Sequence, residues 1–416
     1  MSVRPSARVA AAALAAVLGL SLAACSSDDS GSEAAANGST GSGNGTDAGN
    51  AGSDGGSNAP AVDTPRATIT SNVKRGASDV AVSTLVSVSA KGGLLDDVKV
   101  TSEAGDVAGA IADDGATWTA TDRLEPGTKY TVTARAGEGD TAARSRLSFT
   151  TADLSLDQQT YPSVAPLQGE TVGVGMPVVV TFDLPVTDKA AFEKQMKVTS
   201  TPAQAGSWYW LNDTTAHWRP KSYWQPGTEV SVDVDVNGVE AGNGIYGQEN
   251  REVDFQVGDA HIYKVNAKSH QMQVYSNGDL LRTIPITTGK PGFTTRSGVK
   301  VIMEKFDSKR MNSETVGIPQ GSAEAYDINN VQWAMRVTNS GEFIHAAPWS
   351  VGSQGYANVS HGCTGLSTDN AAWLYAMSRR GDVVEYTGTD RPMTFDNGYG
   401  DWNKSFKDYR AGSALA

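Results

Sequence analysis

Cysteine is scarce in this chain: of 416 residues only two are Cys, at positions 25 and 363, too few for a disulfide framework. Positive charge is also in short supply. Thirty-four Lys and Arg face 46 Asp and Glu, for a net charge of −12, and no basic patch stands out, which argues against a nucleic-acid partner. No metal-ligand cluster and no phosphate-binding glycine loop is found, so no cofactor is expected. The one apolar run near the start, Val9 to Leu22, is too short to span a membrane.

What is present divides the chain into segments, since 416 residues exceed one domain and fit three. Residues 1–25 read as a targeting segment: Arg4 and Arg8 ahead of the apolar run, then Leu22-Ala23-Ala24-Cys25. That ending looks like a bacterial lipobox, which would make Cys25 a lipidated first residue; an ordinary secretory signal with a chance Cys is the alternative. Residues 26–64 are Gly, Ser, Ala, Asn and Asp without an aromatic up to about Val62. They cannot bury enough surface to fold and read as a tether with a mean reach on the order of 35 Å.

Residues 65–153 and 154–258 each contain short Val-, Thr- and aromatic-rich segments separated by turn residues, the pattern of a β-sandwich. The two stretches repeat one plan. Trp118 precedes Pro126-Gly127 by the spacing at which Trp218 precedes Pro226-Gly227, with the copies 100 residues apart. Two tandem Ig-like domains are expected, their tryptophans in the cores rather than on a sugar. Trp208, Tyr209 and Trp210 could instead meet the next domain. In the second copy Glu240, Asn243 and Gly244 form an acidic glycine-rich run. It offers one carboxylate, too few hard ligands for calcium, and is read as a hairpin loop.

From residue 259 strands continue, with Asn277-Gly278 as a two-residue hairpin turn and Pro285 implying an edge or bulge. The most telling stretch follows later: Val359-Ser360-His361-Gly362-Cys363-Thr364-Gly365-Leu366-Ser367. It reads as a thiol at a glycine-flanked bend directly before a helix, with Ser367 or Thr368 as N-cap and Gly381 as the residue after its end. A thiol in that place would feel the helix dipole, which favours thiolate. Upstream, a strand-like run delivers His345 and stops at Pro348. A lone Cys is more often a small buried hydrophobe than a nucleophile. If Cys25 carries lipid, however, Cys363 has no partner, and an exported protein seldom keeps an unpaired thiol it does not use.

His345-Ala346-Ala347-Pro348-Trp349 followed by Ser360-His361-Gly362-Cys363 resembles the catalytic signature of the YkuD-type L,D-transpeptidases, specifically the actinobacterial lipoproteins with Ig-like domains. The fold class is thus expected to be mainly β: two Ig-like sandwiches, a YkuD-type catalytic domain over residues 259–388 with one main helix, and a C-terminal extension, 389–416, packing on the catalytic domain. The resemblance implies a peptidoglycan tetrapeptide stem as donor, with Cys363 as nucleophile and His345 as base. It also implies loss of D-Ala, a thioester, and 3→3 cross-linking by a second stem's amine.

Backbone amides of His361, Gly362 and Cys363 are natural oxyanion donors, with Ser360 in the same loop. No acid neighbours His345, and relatives use a backbone carbonyl there, which Ala346 would supply. His361 is the competing base. The resemblance makes Gly317–Asn339 a lid, puts Tyr326 facing the site, and puts Ser340 and Gly341 by the substrate backbone. Thr364 and Gly365 depart from the family's usual residues; Gly365 is expected to remove a side chain near the substrate. Carbapenems are implied inhibitors, and the lipobox implies an anchor on the outer face of the cell membrane. Hydrolysis by the same residues, an L,D-carboxypeptidase, stays open, as does a non-catalytic wall-binding lipoprotein.

Overall fold

Alternation of buried and exposed positions organises the first sandwich. Along Lys129–Ala136, every second side chain is buried, and Tyr130, Val132 and Ala134 enter the core with Trp118, Leu124 and Phe149. The structure, a computed structural model, describes residues 66–416; the expectations for the targeting segment, Cys25 and the tether lie outside the described residues. One four-stranded sheet has the order Thr68–Ser71, Ser87–Lys91, Thr117–Ala120, Gly109–Ile111. The other runs Gly105–Val107, Leu95–Ser102, Lys129–Ala136, Ala143–Thr150.

The second sandwich repeats this with two four-stranded sheets and a larger aromatic core. Trp218 and Trp224 stack at 5.3 Å. Three of the buried indoles find an acceptor: Trp224 Nε1 donates to Met176 O, Trp208 Nε1 to Met196 O and Trp210 Nε1 to Glu193. Trp208 and Trp210 are therefore core residues, while Tyr209 between them faces the other way, 4.5 Å from the Phe395 ring. The run at Glu240 is a hairpin, Glu240–Gly242 against Ile245–Gly247, turning through Asn243 at φ +57°.

In residues 259–388 two sheets share a core of Tyr263, Met272, Ile284, Met335, Ile344 and Leu366. The five-stranded sheet has Asp279–Pro285 at one edge, where Pro285 needs no partner for its missing N–H. The four-stranded sheet runs Glu304–Asn312, Asp327–Arg336, Phe343–Ala346, Thr364–Leu366, its last two strands parallel.

Two expectations about this part change. Residues 317–339 are not one long connection: Asp327–Arg336 is a strand hairpinned on Glu304–Asn312, and only the tip, about residues 313–326, remains as a connection where a lid was expected. Its polar sequence hid it, because most of its side chains are exposed or half-buried. The helix, Thr368–Met377, is capped by Ser367, whose side chain accepts from Asn370 N, but it ends at Ser378 rather than at Gly381. Gly381 instead lets the second sandwich approach. Its carbonyl accepts from Gly175 N, and a Cβ at Gly173 would lie 2.2 Å from Asp382 N. The bidentate Glu170–Arg380 pair locks the same junction.

The C-terminal extension also differs from its expected placement. Its first part touches the catalytic domain, Asn397 Oδ1 accepting from Ser340 N and Asn403 Oδ1 from Val299 N. The remainder packs on the second sandwich: the Arg219 guanidinium lies over the rings of Trp402 and Tyr409, and the Tyr409 hydroxyl donates to His217 O.

Candidate active site

The site forms where the two parallel strands meet. Residues paired across parallel strands project to the same face, and the period is two. His345 pairs with Gly365, so Cys363, two residues before Gly365, falls on the His345 face. Both line one cavity of about 310 Å³, with Tyr326, Trp349, Ser360 and His361 around it.

His345 is buried, at 6% exposure, and its Nδ1 lies 2.8 Å from Ala346 O. A carbonyl only accepts, so Nδ1 carries the proton and Nε2 keeps a lone pair. Burial pushes the ring below the ordinary imidazole range, and the Ala346 carbonyl offsets part of this. The Trp349 ring lies 5.9 Å from the imidazole.

Cys363 does not stand at the helix N-terminus. The strand Thr364–Leu366 separates it from the helix, which removes the expected dipole support for a thiolate. Packing pushes the thiol up to about 11, chiefly by burial; the Phe343 backbone amide and Lys300 lower it and Glu342 raises it. The side chain still reaches the cavity. At rest its S–H donates to Gly341 O at 3.7 Å, and among the described residues no hydrogen bond joins it to His345. At rest the pair is therefore thiol and imidazole, not joined to each other.

The thiol turn is held internally. Ser360 Oγ donates to Cys363 O and accepts from Gly362 N, and Gly362 adopts φ +124°, open to glycine alone at little strain. The Gly362 amide is thus engaged at rest by Ser360 Oγ.

Residues 260–385 match the L,D-transpeptidase catalytic domain family, YkuD, and residues 77–240 match the bacterial Ig domain family. The chain is 39% identical over 351 residues to L,D-transpeptidase 2 of Mycobacterium tuberculosis, covering 84% of this chain and 85% of that protein. It is 34% identical over 359 residues to L,D-transpeptidase 5 of the same species, covering 82% and 75%. A solved structure of the L,D-transpeptidase LdtMt1 in complex with imipenem aligns at TM-score 0.48 and 42% identity, over 54% of this chain and 97% of that one.

The chain belongs to the L,D-transpeptidase family. It is a peptidoglycan L,D-transpeptidase with Ig domains ahead of the catalytic domain.

In this L,D-transpeptidase the residues expected near substrate fall into two groups. Tyr326 lines the cavity 5.1 Å from the His361 ring, and burial pushes its hydroxyl up to about 12. Gly341 presents its carbonyl to the thiol. Thr364 does not face the cavity: it is fully buried, with Oγ1 2.7 Å from the Tyr386 hydroxyl. Ser340 turns to Asn397, which donates to its Oγ. Gly365 lines the cavity, but its lack of a side chain is a packing necessity. A Cβ there would lie 2.9 Å from both Ala347 Cβ and Thr287 Cγ2.

Sequence reasoning missed two charged groups of the L,D-transpeptidase site. Glu324, at the lid tip, accepts from Lys290 Nζ at 2.6 Å and from His361 Nε2 at 2.7 Å. Below the thiol turn, Glu342 is held between Lys300 and Arg296. The available signal for the second was a charge in each of two apolar runs, Val299-Lys300-Val301-Ile302 and Glu342-Phe343-Ile344, of opposite sign.

Proposed function

We propose that the protein forms 3→3 cross-links between peptidoglycan stems through a thioester on Cys363. The observation that carries this reading is the shared face of Cys363 and His345, with Nδ1 of the base fixed on Ala346 O. Nε2 of His345 takes the thiol proton as sulfur attacks the carbonyl of the third-position L-centre. The tetrahedral oxygen is met by the amides of His361 and Cys363; losing one such donor costs about 3 kcal/mol in the barrier. Collapse breaks the C–N bond to D-Ala, and the imidazolium returns its proton to the leaving amine. A second stem's side-chain amine then attacks the thioester. The new amide forms, the C–S bond breaks, and the amine's proton returns through His345 to sulfur.

Tetrapeptide monomers incubated with the enzyme should give dimers with loss of D-Ala by mass spectrometry, and Cys363→Ala should give none. Tripeptide alone would replace transfer by hydrolysis, and dimers from the Ala variant would remove Cys363 from the mechanism.

An L,D-transpeptidase carrying 42% identity to this chain holds imipenem in its solved structure. By the same chemistry a carbapenem acylates Cys363 here, and intact-protein mass should rise by the drug's mass. The segment Leu22-Ala23-Ala24-Cys25 and the aromatic-free stretch after it support export and lipid anchoring on the outer face of the membrane. Cys25→Ala should move the protein from the membrane fraction to the soluble one.

A further inference from the structure

The mechanism above leaves a buried charged pair unused. Lys300 is fully buried, and its ammonium donates to Glu342 Oε2. The other oxygen, Oε1, accepts from Arg296 N at 3.1 Å and Arg296 Nη1 at 2.9 Å. Taking two ions out of water is costly, and a well-packed apolar pair of similar volume commonly folds as well or better. Stability is therefore a poor account of this pair.

The pair's neighbours surround the thiol on three sides. Gly341, whose carbonyl accepts the Cys363 S–H, directly precedes Glu342 in the chain, and Glu342 N donates to Thr338 Oγ1 at 2.9 Å. The stem of Glu342 runs beneath Gly362, where an added Cβ would lie 3.8 Å from its Cγ. Beside Arg296, Thr295 Oγ1 donates to Gly362 O at 2.7 Å. On the third side the Lys300 ammonium sits 3.7 Å from the centre of the Tyr386 ring, and the Tyr386 hydroxyl meets Thr364 Oγ1. Gly341, Gly362 and Thr364 thus all rest on the pair or on its direct partners.

We propose that Lys300 and Glu342 are positioning residues of the transpeptidase: the buried pair holds Gly341, Gly362 and Thr364 around Cys363 and so places the thiol for attack. This rests on Cys363 being the nucleophile. The charged and titratable groups around the thiol are Glu342, Lys300, Tyr386, Tyr326, His345 and His361. Of the pair, Glu342 disfavours the thiolate and Lys300 favours it, so the two should move the thiol in opposite directions.

The test compares Lys300→Met, Glu342→Gln and the double variant Lys300→Met/Glu342→Leu with the full chain, by Tm, by kcat and KM for tetrapeptide dimerisation, and by the pH midpoint of Cys363 alkylation with iodoacetamide. Lys300→Met should raise the midpoint and Glu342→Gln lower it. The double variant should recover the wild-type Tm yet keep kcat down by about a hundredfold, the scale of a misplacement of roughly 1 Å, with KM little changed. A double variant that recovers both Tm and kcat overturns the proposal. Should the double variant not fold, Glu342→Gln decides alone: a folded protein with unchanged kcat and midpoint overturns it. Failure of the nucleophile reading itself would show separately, as transfer by Cys363→Ala.

Discussion

The two walls of the cleft hold their histidines in different ways. On the inner wall His345 sits inside a four-residue strand, buried, with Nδ1 committed to the next residue's carbonyl. On the outer wall His361 sits on a loop, partly exposed, with Nε2 on a carboxylate from the lid tip. Backbone pairing and packing fix the first, and salt does not screen them. A side-chain charge near the surface fixes the second, and salt does. On the proposed mechanism the inner wall supplies the base, and the outer one borders the cavity.

The largest effect should come from exchanging the bases. His345→Gln should lower kcat by on the order of 10²–10⁴, the usual worth of a general base, while His361→Gln should keep kcat within about tenfold of wild type. Dimer formation followed by mass spectrometry gives both rates, and the reverse ranking would break the comparison.

The next contrast concerns packing. Gly365 on the inner wall has no room for a Cβ between Ala347 and Thr287, whereas Gly321 on the lid tip has nothing within 4 Å. Gly365→Asn should cost about 1–3 kcal/mol, read as a lower Tm. Gly321→Asn should shift Tm far less, because Asn tolerates the left-handed conformation that Gly321 adopts at φ +88°. Equal losses would mean that the two walls are equally rigid.

What could be read from the chain beforehand divides along the same line. The inner wall's reactive residues lie in two short runs, 18 positions apart, and local signals marked them: the strand stop at Pro348, the glycine bend and the Ser367 cap. The sandwich cores were likewise visible, because alternating Val and aromatic residues state their own period. The charge pairs were not. Lys300 and Glu342 are 42 residues apart and Glu324 and His361 are 37 apart, so nothing local couples them. Lys300 sits among apolar neighbours in a four-residue strand, and its burial comes from packing that no local pattern announces. Gly381 looked like a helix terminator because its real partner, Gly173, is more than two hundred residues away.

Acid pH should separate the walls further. Burial holds the His345 ring below the ordinary imidazole range, so it stays neutral, and competent as a base, to lower pH than a free histidine. The acid limb of kcat/KM should therefore fall below pH about 6.5. The sign for stability follows by linkage. The unfolded chain takes up the proton at the ordinary value and the folded ring resists it, so this contribution is present above about 6.5 and is lost as pH drops further. A kcat/KM limb at or above the free imidazole value would return the base's role to an exposed group.

The smallest effect belongs to the lid tip. Hydrogen bonds from Lys290 and His361 hold the Glu324 carboxyl below the usual range, since both donors prefer it ionised. The carboxylate thereby ties the tip, which carries Tyr326, to both the thiol loop and the loop at Lys290. Glu324→Gln keeps the shape and removes the charge. The partners are partly exposed, so the loss should be modest: KM up about two- to fivefold with kcat unchanged. Screening does the same without mutation, so wild-type KM in high salt should approach that of the variant, whose own KM should hardly respond. If KM in the wild type ignored salt and the variant matched it, the tip would be held by packing, and the outer wall would be built like the inner one.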